Sequence, residues 1–285
     1  MVLSVGGSPV RHRRGQEGIA AIPSGVARGH GGMHAQLTLL ADRLRALHVA
    51  GEPLLLANVW DVASAREVLA AGGAAIGTSS AAIAAAVGAA DDDTMPVAVA
   101  FDVVTRIAAA VPVPVTADVE AGYGLDAAAL VEALLAAGAV GCNLEDTDHR
   151  RGGLVDVGVA AARLHAMRAA ADAAGVGIVL NARIDVMRHA GADRDGAMAD
   201  VVGRARRYVD AGADCVFPIG VGDPATVQRL VDDVGAPVNV GLAAGVTVAQ
   251  LADAGASRIS LGPTLHRRAM ADLGQRAREL FGSGG

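Results

Sequence analysis

Aromatic residues are nearly missing from this chain. Phe, Tyr and Trp together make up 2% of its 285 residues, whereas 52% of the residues are hydrophobic. A core built on large rings is therefore excluded, and Ala, Val, Leu and Ile must fill it, as in small helices packed on a β-branched sheet. Long apolar runs are missing too. No stretch of about 18 apolar residues continues without Gly, Pro or a charge, so the sequence predicts no membrane-spanning helix.

An excess of basic residues is also missing. Lys and Arg number 24 against 30 Asp and Glu, which gives a formal net charge of -6 with both signs mixed along the chain. The sequence therefore has no basic stripe for nucleic acid and no polybasic patch for a membrane surface. We expect neither kind of partner.

Cysteine is scarce and follows no recognisable motif. Cys142 and Cys215 lie in separate apolar runs, far apart in sequence, and neither belongs to a C-x-x-C or Cys/His cluster. We expect both thiols to be reduced and buried, as in a cytoplasmic protein.

Residues 1–32 carry Arg, Gly, Pro and Ser without apolar periodicity. They contain no apolar stretch of the kind that a signal peptide requires. This composition is typical of a disordered N-terminal extension. We expect the folded protein to begin at Met33 and to form a single domain over residues 33–285.

From Leu54 onward, short apolar runs alternate with Ala-rich segments whose apolar positions recur every three or four residues, as in amphipathic helices. The apolar runs predict eight strands: LLLANVW, AAIGTSS, VPVTADVE, VGCNLED, IVLNARID, CVFPIG, APVNV and RISLGP. Four helical segments end in a Gly just before a strand, the position of a left-handed helix cap; these are Gly72, Gly138, Gly212 and Gly255.

The repeated strand-helix rhythm predicts an α/β fold, namely a (β/α)8 TIM barrel. A doubly wound open sheet is the alternative, and it is disfavoured because no G-x-G-x-x-G follows any strand. A helix over about 35–49 is expected to cover the bottom of the barrel. The final segment, TLHRRAMADLGQRARELFG, is the eighth helix, and its Arg-rich face predicts contact with solvent or with another subunit.

Polar residues close most of the predicted strands, where the active site of such a barrel lies. They are Asn58, Trp60, Asp61, Thr78, Ser79, Ser80, Asp118, Glu120, Tyr123, Asn143, Glu145, Asp146, Asn181, Arg183, Asp185 and Asn239. Asp146 and Asp185 each follow a stronger candidate by one or two positions, so we expect them to form ordinary caps or salt bridges.

Three of these residues, Asp118, Glu120 and Glu145, are carboxylates that converge on one barrel mouth. They would repel one another without a cation among them. Because the donors are all oxygens, with no His or Cys nearby, we expect Mg²⁺, with Mn²⁺ as the alternative. Arg183 has a planar guanidinium that suits a carboxylate or a phosphonate, so we expect it to bind an anionic group of the substrate.

Five motifs, NVWDVASA, GTSSAAIAAAVG, TADVEAGYG, GCNLEDT and NARIDV, resemble in this order segments of the isocitrate lyase and phosphoenolpyruvate mutase superfamily. The resemblance runs from about Leu54 to the C-terminus, and the match is best with short phosphoenolpyruvate-mutase-like members. It implies a (β/α)8 barrel whose eighth helix is swapped between the subunits of a homodimer or homotetramer. It also implies Mg²⁺-dependent lyase chemistry on a 2-oxo acid through an enolpyruvate-type intermediate.

The resemblance implies roles for the matching residues. Asp118 corresponds to the direct metal ligand, and the acids that hold the metal through water molecules correspond to Asp91, Glu120 and Glu145. Substrate contact is implied for Trp60, Ser79, Ser80 and Arg183, and position at the strand ends adds Tyr123, Asn143 and Asn239 to this set. The expected catalytic residues are Arg183, Glu145 and His149.

The sequence departs from the superfamily pattern at several points. After strand 4 it reads EDTDHRRGGLVDV, whereas isocitrate and methylisocitrate lyases carry a K-[KR]-C-G-H loop whose Cys acts as an acid or base. Cleavage of isocitrate or methylisocitrate is therefore not expected, and His149 is the candidate replacement for that Cys. His189 is expected to lie on the surface, past the pocket. Asp92 and Asp93 are expected to cap the helix that starts near Met95.

Three functions remain open from the sequence. The first is a lyase, decarboxylase or hydrolase that cleaves a C–C bond of a small 2-oxo or 2-hydroxy diacid such as oxaloacetate. The second is a phosphonomutase or phosphonopyruvate hydrolase, although CVFPIG has Pro218 or Ile219 where mutase-type members have a histidine. The third is a non-catalytic barrel that binds metal and oxo acid without turnover.

Overall fold

The computed structural model describes residues 30–191 and 193–282. The expected disordered extension therefore lies outside the described residues, except for positions 30–32, which belong to the first helix. This helix, α1, spans His30–Ala46. It overlaps the expected helix over about 35–49, but both of its ends lie a few residues earlier in the chain.

Strands and helices alternate along the described residues. The strands are β1 Leu54–Leu56, β2 Ile76–Gly77, β3 Val115–Asp118, β4 Gly141–Glu145, β5 Val179–Ile184, β6 Cys215–Pro218, β7 Asn239–Gly241 and β8 Arg258–Ser260. The further helices are α2 Val62–Ala70, α3 Ser80–Val87, α4 Val97–Ala110, α5 Ala127–Ala136, α6 Val157–Ala173, α7 Val186–His189, α8 Arg194–Asp210, α9 Pro224–Val234, α10 Val248–Asp253 and α11 Thr264–Gly282.

The strands pair in parallel, which confirms the predicted α/β architecture. One sheet has the order β2-β3-β4-β5-β6 and the other the order β1-β8-β7. Isolated parallel bridges link Val59 to Thr78 and Val216 to Val238, between segments that belong to different sheets. Parallel strands are covered by helices on their outer side, which explains why their apolar runs are nearly continuous.

The turns from helix to strand use the predicted glycines. Gly72, Gly138, Gly212 and Gly255 all have positive φ angles, between 81° and 99°. This left-handed conformation is strained for residues with a Cβ atom, so glycine at these places allows each helix to turn back into the sheet.

The two thiols behave as expected from the sequence. Cys142 and Cys215 are free and buried, and burial raises the pKa of both to about 12. None of the helices in the described part of the chain combines the length and the apolar character needed to span a bilayer.

The last helix, α11, buries little of its own surface against the rest of the chain. Its only buried residue within the described structure is His266, and its apolar residues Leu273 and Leu280 are 59% and 76% exposed. On the outer face of β1, Leu55 is 45% exposed. Apolar side chains therefore remain open to solvent both on α11 and on the sheet.

Candidate functional site

Asp118, Glu120, Glu145 and Arg183 lie at or just after the carboxyl ends of β3, β4 and β5. In the register of these parallel strands, Asp118 lies opposite Asn143, and Glu145 lies opposite Arg183. A cavity of about 320 Å³ opens here. It is lined by Asp91, Glu120, Glu145, Thr147, His149, Arg183, Arg188 and His189.

Asp118 ends β3 and is held from one side only. Its Oδ2 accepts hydrogen bonds from the backbone N–H and the hydroxyl of Ser80, at 3.2 and 3.0 Å. Its Oδ1 is buried and has no partner among the described residues. Burial raises the pKa of Asp118, and the nearby Arg183 guanidinium opposes that rise.

Glu120 shows the same one-sided arrangement. Its Oε2 accepts a hydrogen bond from the backbone N–H of Asp93 at 2.5 Å, while its buried Oε1 has no partner within the described structure. Burial, reinforced by nearby acids, raises its pKa to about 7. Burial and the Glu120 carboxylate also hold the pKa of Tyr123 well above its usual value.

The loop around Glu120 is strained and cross-bonded. Asp93, Glu120 and Tyr123 have φ angles of 61°, 49° and 53°, which residues other than glycine rarely adopt. Asp93 Oδ1 accepts a hydrogen bond from the backbone N–H of Tyr123 at 2.7 Å. The expectation that Asp92 and Asp93 cap the next helix is therefore wrong: Pro96 is at the N-cap of α4, without a side-chain cap bond.

Glu145 contacts both of the other expected catalytic residues, His149 and Arg183. Its Oε1 lies 2.5 Å from His149 Nε2, and its Oε2 lies 2.5 Å from Arg183 Nη1. Burial raises the pKa of Glu145 to about 7, and Arg183 opposes the rise. The carboxyl and the imidazole are within hydrogen-bonding distance, which is the geometry that proton transfer between them requires.

Asp185 fixes the Arg183 guanidinium in a bidentate ion pair. Its Oδ1 accepts a hydrogen bond from Arg183 Nε at 2.7 Å, and its Oδ2 accepts one from Nη2 at 2.8 Å. Although burial opposes charge, these contacts keep the pKa of Asp185 below its ordinary value. Asp146 similarly accepts bonds from Arg204 and Tyr208. Both acids therefore form the structural pairs expected of them.

The carboxylate oxygens of Asp118 and Glu120 suit a hard cation that takes few ligands directly from the protein. Across residues 30–191 and 193–282, no three His, Cys, Asp or Glu side chains stand close enough to form a complete metal-ligand set. The unpartnered Asp118 Oδ1 and Glu120 Oε1 instead offer single oxygens, which suits Mg²⁺ because this ion keeps several water ligands. Asp91 is exposed at the rim of the cavity.

Several predicted substrate residues lie outside the cavity lining. The Trp60 ring packs edge-on against His266, with 4.9 Å between centroids, and Ser79 caps α3. Asn143 accepts hydrogen bonds from Asn181 and from the fully buried Arg258, while Asn239 accepts one from Ser260. Thus Asn143 and Asn239 belong to a polar network in the interior of the fold.

Three residues of the cavity were missed from the sequence: Thr147, Arg188 and His189. The expectation that His189 lies past the pocket is wrong, because the four-residue helix α7 turns it back to the cavity rim. Their position directly after β4 and β5 is the signal that could have identified them.

Comparison with known proteins agrees with this geometry. The family model of phosphoenolpyruvate phosphomutase matches residues 44–281. A candidate phosphonomutase from Burkholderia cenocepacia J2315 is 41% identical, with a TM-score of 0.81 over 85% of this chain and 99% of the other. A 2,3-dimethylmalate lyase of the PEP mutase/isocitrate lyase superfamily is 26% identical, with a TM-score of 0.76 over 87% of this chain and 86% of the other.

A sequence relative extends the comparison. An uncharacterized protein of Mycobacterium tuberculosis H37Rv is 33% identical over 221 residues, which cover 76% of this chain and 80% of the relative. The match to the family model spans most of the sequence and includes every residue at the cavity. The chain therefore belongs to the phosphoenolpyruvate phosphomutase family, an enzyme family of lyases and mutases in the isocitrate lyase superfamily.

Proposed function

We propose that this chain is a Mg²⁺-dependent lyase, decarboxylase or hydrolase. It would cleave a C–C bond of a small 2-oxo or 2-hydroxy diacid, such as oxaloacetate or a substituted malate, through an enolpyruvate-type intermediate. One observation carries the proposal: Asp118 and Glu120 are carboxylates that each keep one buried oxygen without a partner, beside the cavity that Arg183 lines. The likeness to 2,3-dimethylmalate lyase supports C–C chemistry.

Mg²⁺ would be held directly by Asp118 and, through water molecules, by Asp91, Glu120 and Glu145; Mn²⁺ is the alternative. A buried oxygen that lacks a donor costs roughly 1–3 kcal/mol, and a cation would remove this cost at Asp118 Oδ1 and Glu120 Oε1. When bound, the metal would supply positive charge to the carboxylate and oxo oxygens of the substrate.

The cavity residues would position the substrate and move a proton. Arg183 would meet the anionic portion of the substrate that leaves. The Glu145 and His149 pair, 2.5 Å apart, would accept at Nε2 or Oε1 the proton that is lost by the substrate 2-hydroxyl, or by the water added to a 2-oxo group, and would return a proton to the departing carbon. A substrate-binding role for Trp60, Ser79, Ser80, Tyr123, Asn143 and Asn239 stays a prediction.

The proposed architecture is a closed (β/α)8 barrel that assembles as a homodimer or homotetramer in the cytoplasm. The bridges Val59 to Thr78 and Val216 to Val238 support closure, since they link the two sheets on both sides. Helix α11 would pack on a second copy of the chain. The exposed Leu273 and Leu280 on α11, and Leu55 on β1, support this swap because each would gain an apolar neighbour.

Phosphonomutase or phosphonopyruvate hydrolase activity is the second candidate. The family model and the 41% identical Burkholderia protein favour it. The residues at the end of β6 disfavour phosphonate chemistry, because Pro218 and Ile219 lie where the mutase-type pattern has a histidine that could act on phosphonate.

A substrate panel tests these proposals. Oxaloacetate, substituted malates and phosphonopyruvate would be incubated with the protein and Mg²⁺, and the release of pyruvate, glyoxylate, oxalate and phosphate would be measured, with EDTA as control. We expect Mg²⁺-dependent cleavage of a diacid. Phosphate release or conversion to phosphoenolpyruvate would favour the second candidate, and oxalate binding without any turnover would favour a non-catalytic barrel.

A further inference from the structure

The rim of the cavity holds a second guanidinium that the proposed chemistry does not use. Arg188 lines the cavity together with Arg183 and His189, and its side chain is 53% exposed. It follows β5 on the short helix α7. Two arginines thus line one cavity from the same strand end, and the acids Asp91, Glu120 and Glu145 line it as well.

Arg183 is already largely engaged in the protein. A guanidinium has five N–H donors in a fixed fork. Arg183 donates from Nε and Nη2 to Asp185, and its Nη1 pairs with Glu145. One N–H on each terminal nitrogen remains for a ligand, and two carboxylates already balance the positive charge.

Arg188 is held much more loosely. Its Nη1 lies 3.3 Å from Asp185 Oδ2, at the long end for a hydrogen bond. The same oxygen accepts shorter bonds from Thr147 Oγ1, at 2.6 Å, and from Arg183 Nη2, at 2.8 Å. No other partner of Arg188 is found among the described residues. Its Nε and Nη2 therefore remain available at the cavity rim.

We propose that Arg188, with His189 beside it, binds the second carboxylate of a diacid substrate, at the end remote from Asp118. Two guanidinium groups that share the Asp185 carboxylate repel each other, and an entering anion offsets this repulsion. A carboxylate also matches the planar fork of arginine. Arg188 is then the specificity-determining residue that favours diacids over monoacids. The inference rests on the proposed function, which places the other end of the substrate at the metal.

Calorimetry with two probes tests this role. Oxalate is too short to reach beyond the metal end, whereas malate carries its second carboxylate two carbons further. In the presence of Mg²⁺, we expect Arg188→Gln to weaken malate binding roughly tenfold and to change oxalate binding less than about twofold. Arg188→Lys keeps the positive charge but loses the planar fork, so its affinity for malate should lie between that of the unaltered protein and that of Arg188→Gln. The control is Arg229→Gln, an exposed arginine on α9 outside this cavity, which should affect neither probe.

The outcomes separate this inference from the function on which it rests. If the unaltered protein shows no Mg²⁺-dependent oxalate binding, the proposed function itself fails, and the role of Arg188 fails with it. If oxalate and malate both bind but Arg188→Gln leaves malate affinity unchanged, only the role of Arg188 is wrong. Equal weakening of both probes would also overturn it, because Arg188 would then act only by supporting Asp185 and Arg183.

Discussion

The imidazole of His149 lies 2.5 Å from the carboxylate of Glu145. His149 is partly exposed on the loop after β4, while Glu145 is buried at the end of that strand. The contact therefore joins the solvent-accessible imidazole of His149 to the buried carboxylate of Glu145. Such a pair can pass a proton between bulk water and the cavity.

We expect His149→Gln to lower kcat by about 10²-fold, the usual contribution of a positioned acid or base. Steady-state kinetics on the substrate identified by the panel would measure this. Mg²⁺-dependent oxalate binding should stay within about twofold, because the metal acids are intact. His165→Gln on α6, away from the cavity, is the matched control. An unchanged kcat for His149→Gln would remove His149 from the mechanism.

Asp118→Ala should abolish Mg²⁺-dependent oxalate binding and leave the fold intact. The variant removes the oxygen that is proposed to contact the metal directly. Isothermal titration with and without EDTA would measure binding, and circular dichroism would verify the fold. Asp102→Ala, an exposed acid on α4, is the control and should bind oxalate normally. Retained binding by Asp118→Ala would contradict the metal assignment.

The stability of the metal-free protein should fall as the pH rises. Burial raises the pKa of Glu120 and Glu145 from the ordinary 4.5 to about 7. The folded state therefore holds these protons more tightly than the unfolded chain. Their stabilising contribution is complete below about pH 4.5 and is lost as the pH rises through about 7.

Thermal unfolding in EDTA at about pH 5 and about pH 8 would measure this loss. Glu120→Gln carries no titrating proton at that position, so its Tm should fall less over the same interval. Excess Mg²⁺ should restore much of the loss, because a cation favours the ionised carboxylates. A Tm that rises across this interval in EDTA would show that other groups dominate.

Asp185→Ala should destabilise the protein by about 3–5 kcal/mol, because it leaves the Arg183 guanidinium buried without its bidentate partner. Urea unfolding would measure the difference. Asp200→Ala is a fitting control, since Asp200 is a half-exposed partner of Arg204 and its loss should cost about 1 kcal/mol or less. Equal effects of the two substitutions would mean that burial of the Asp185 pair contributes nothing.

Leu273→Glu combined with Leu280→Glu should shift the assembly toward monomers. Both side chains are exposed on α11 and are proposed to pack on a second copy of the chain. Sedimentation velocity at several protein concentrations would measure the shift. Val159→Glu, an exposed apolar residue on α6, is the control for a charge added elsewhere. An unchanged assembly would argue against the swapped helix.

The alternation of strands and helices could be predicted from the sequence because its signals are local. The period of the apolar residues and the glycines at helix ends depend on near neighbours along the chain. The position of Asp118, Glu145 and Arg183 at one edge of the sheet was predictable too, since the ends of neighbouring parallel strands share one edge.

The rest of the site depends on contacts between distant segments. Asp93 resembles a helix cap in sequence, yet its bonds go to Glu120 and Tyr123, about 30 positions away. Trp60 meets His266 only because the chain passes from β8 into α11 at that place. Likewise, the path of the short helix α7 decides that His189 faces the cavity, and no periodicity reveals such a path.

The bonds that join Asp93 to Glu120 and to Tyr123 have a consequence for the kinetics of the proposed Mg²⁺ binding. They join the two acidic loops in the folded protein, so an arriving cation would not have to immobilise flexible chain. The rate of metal binding would then be limited by the loss of water ligands from the ion. A change from Mg²⁺ to the more readily dehydrated Mn²⁺ would speed association without any loop rearrangement.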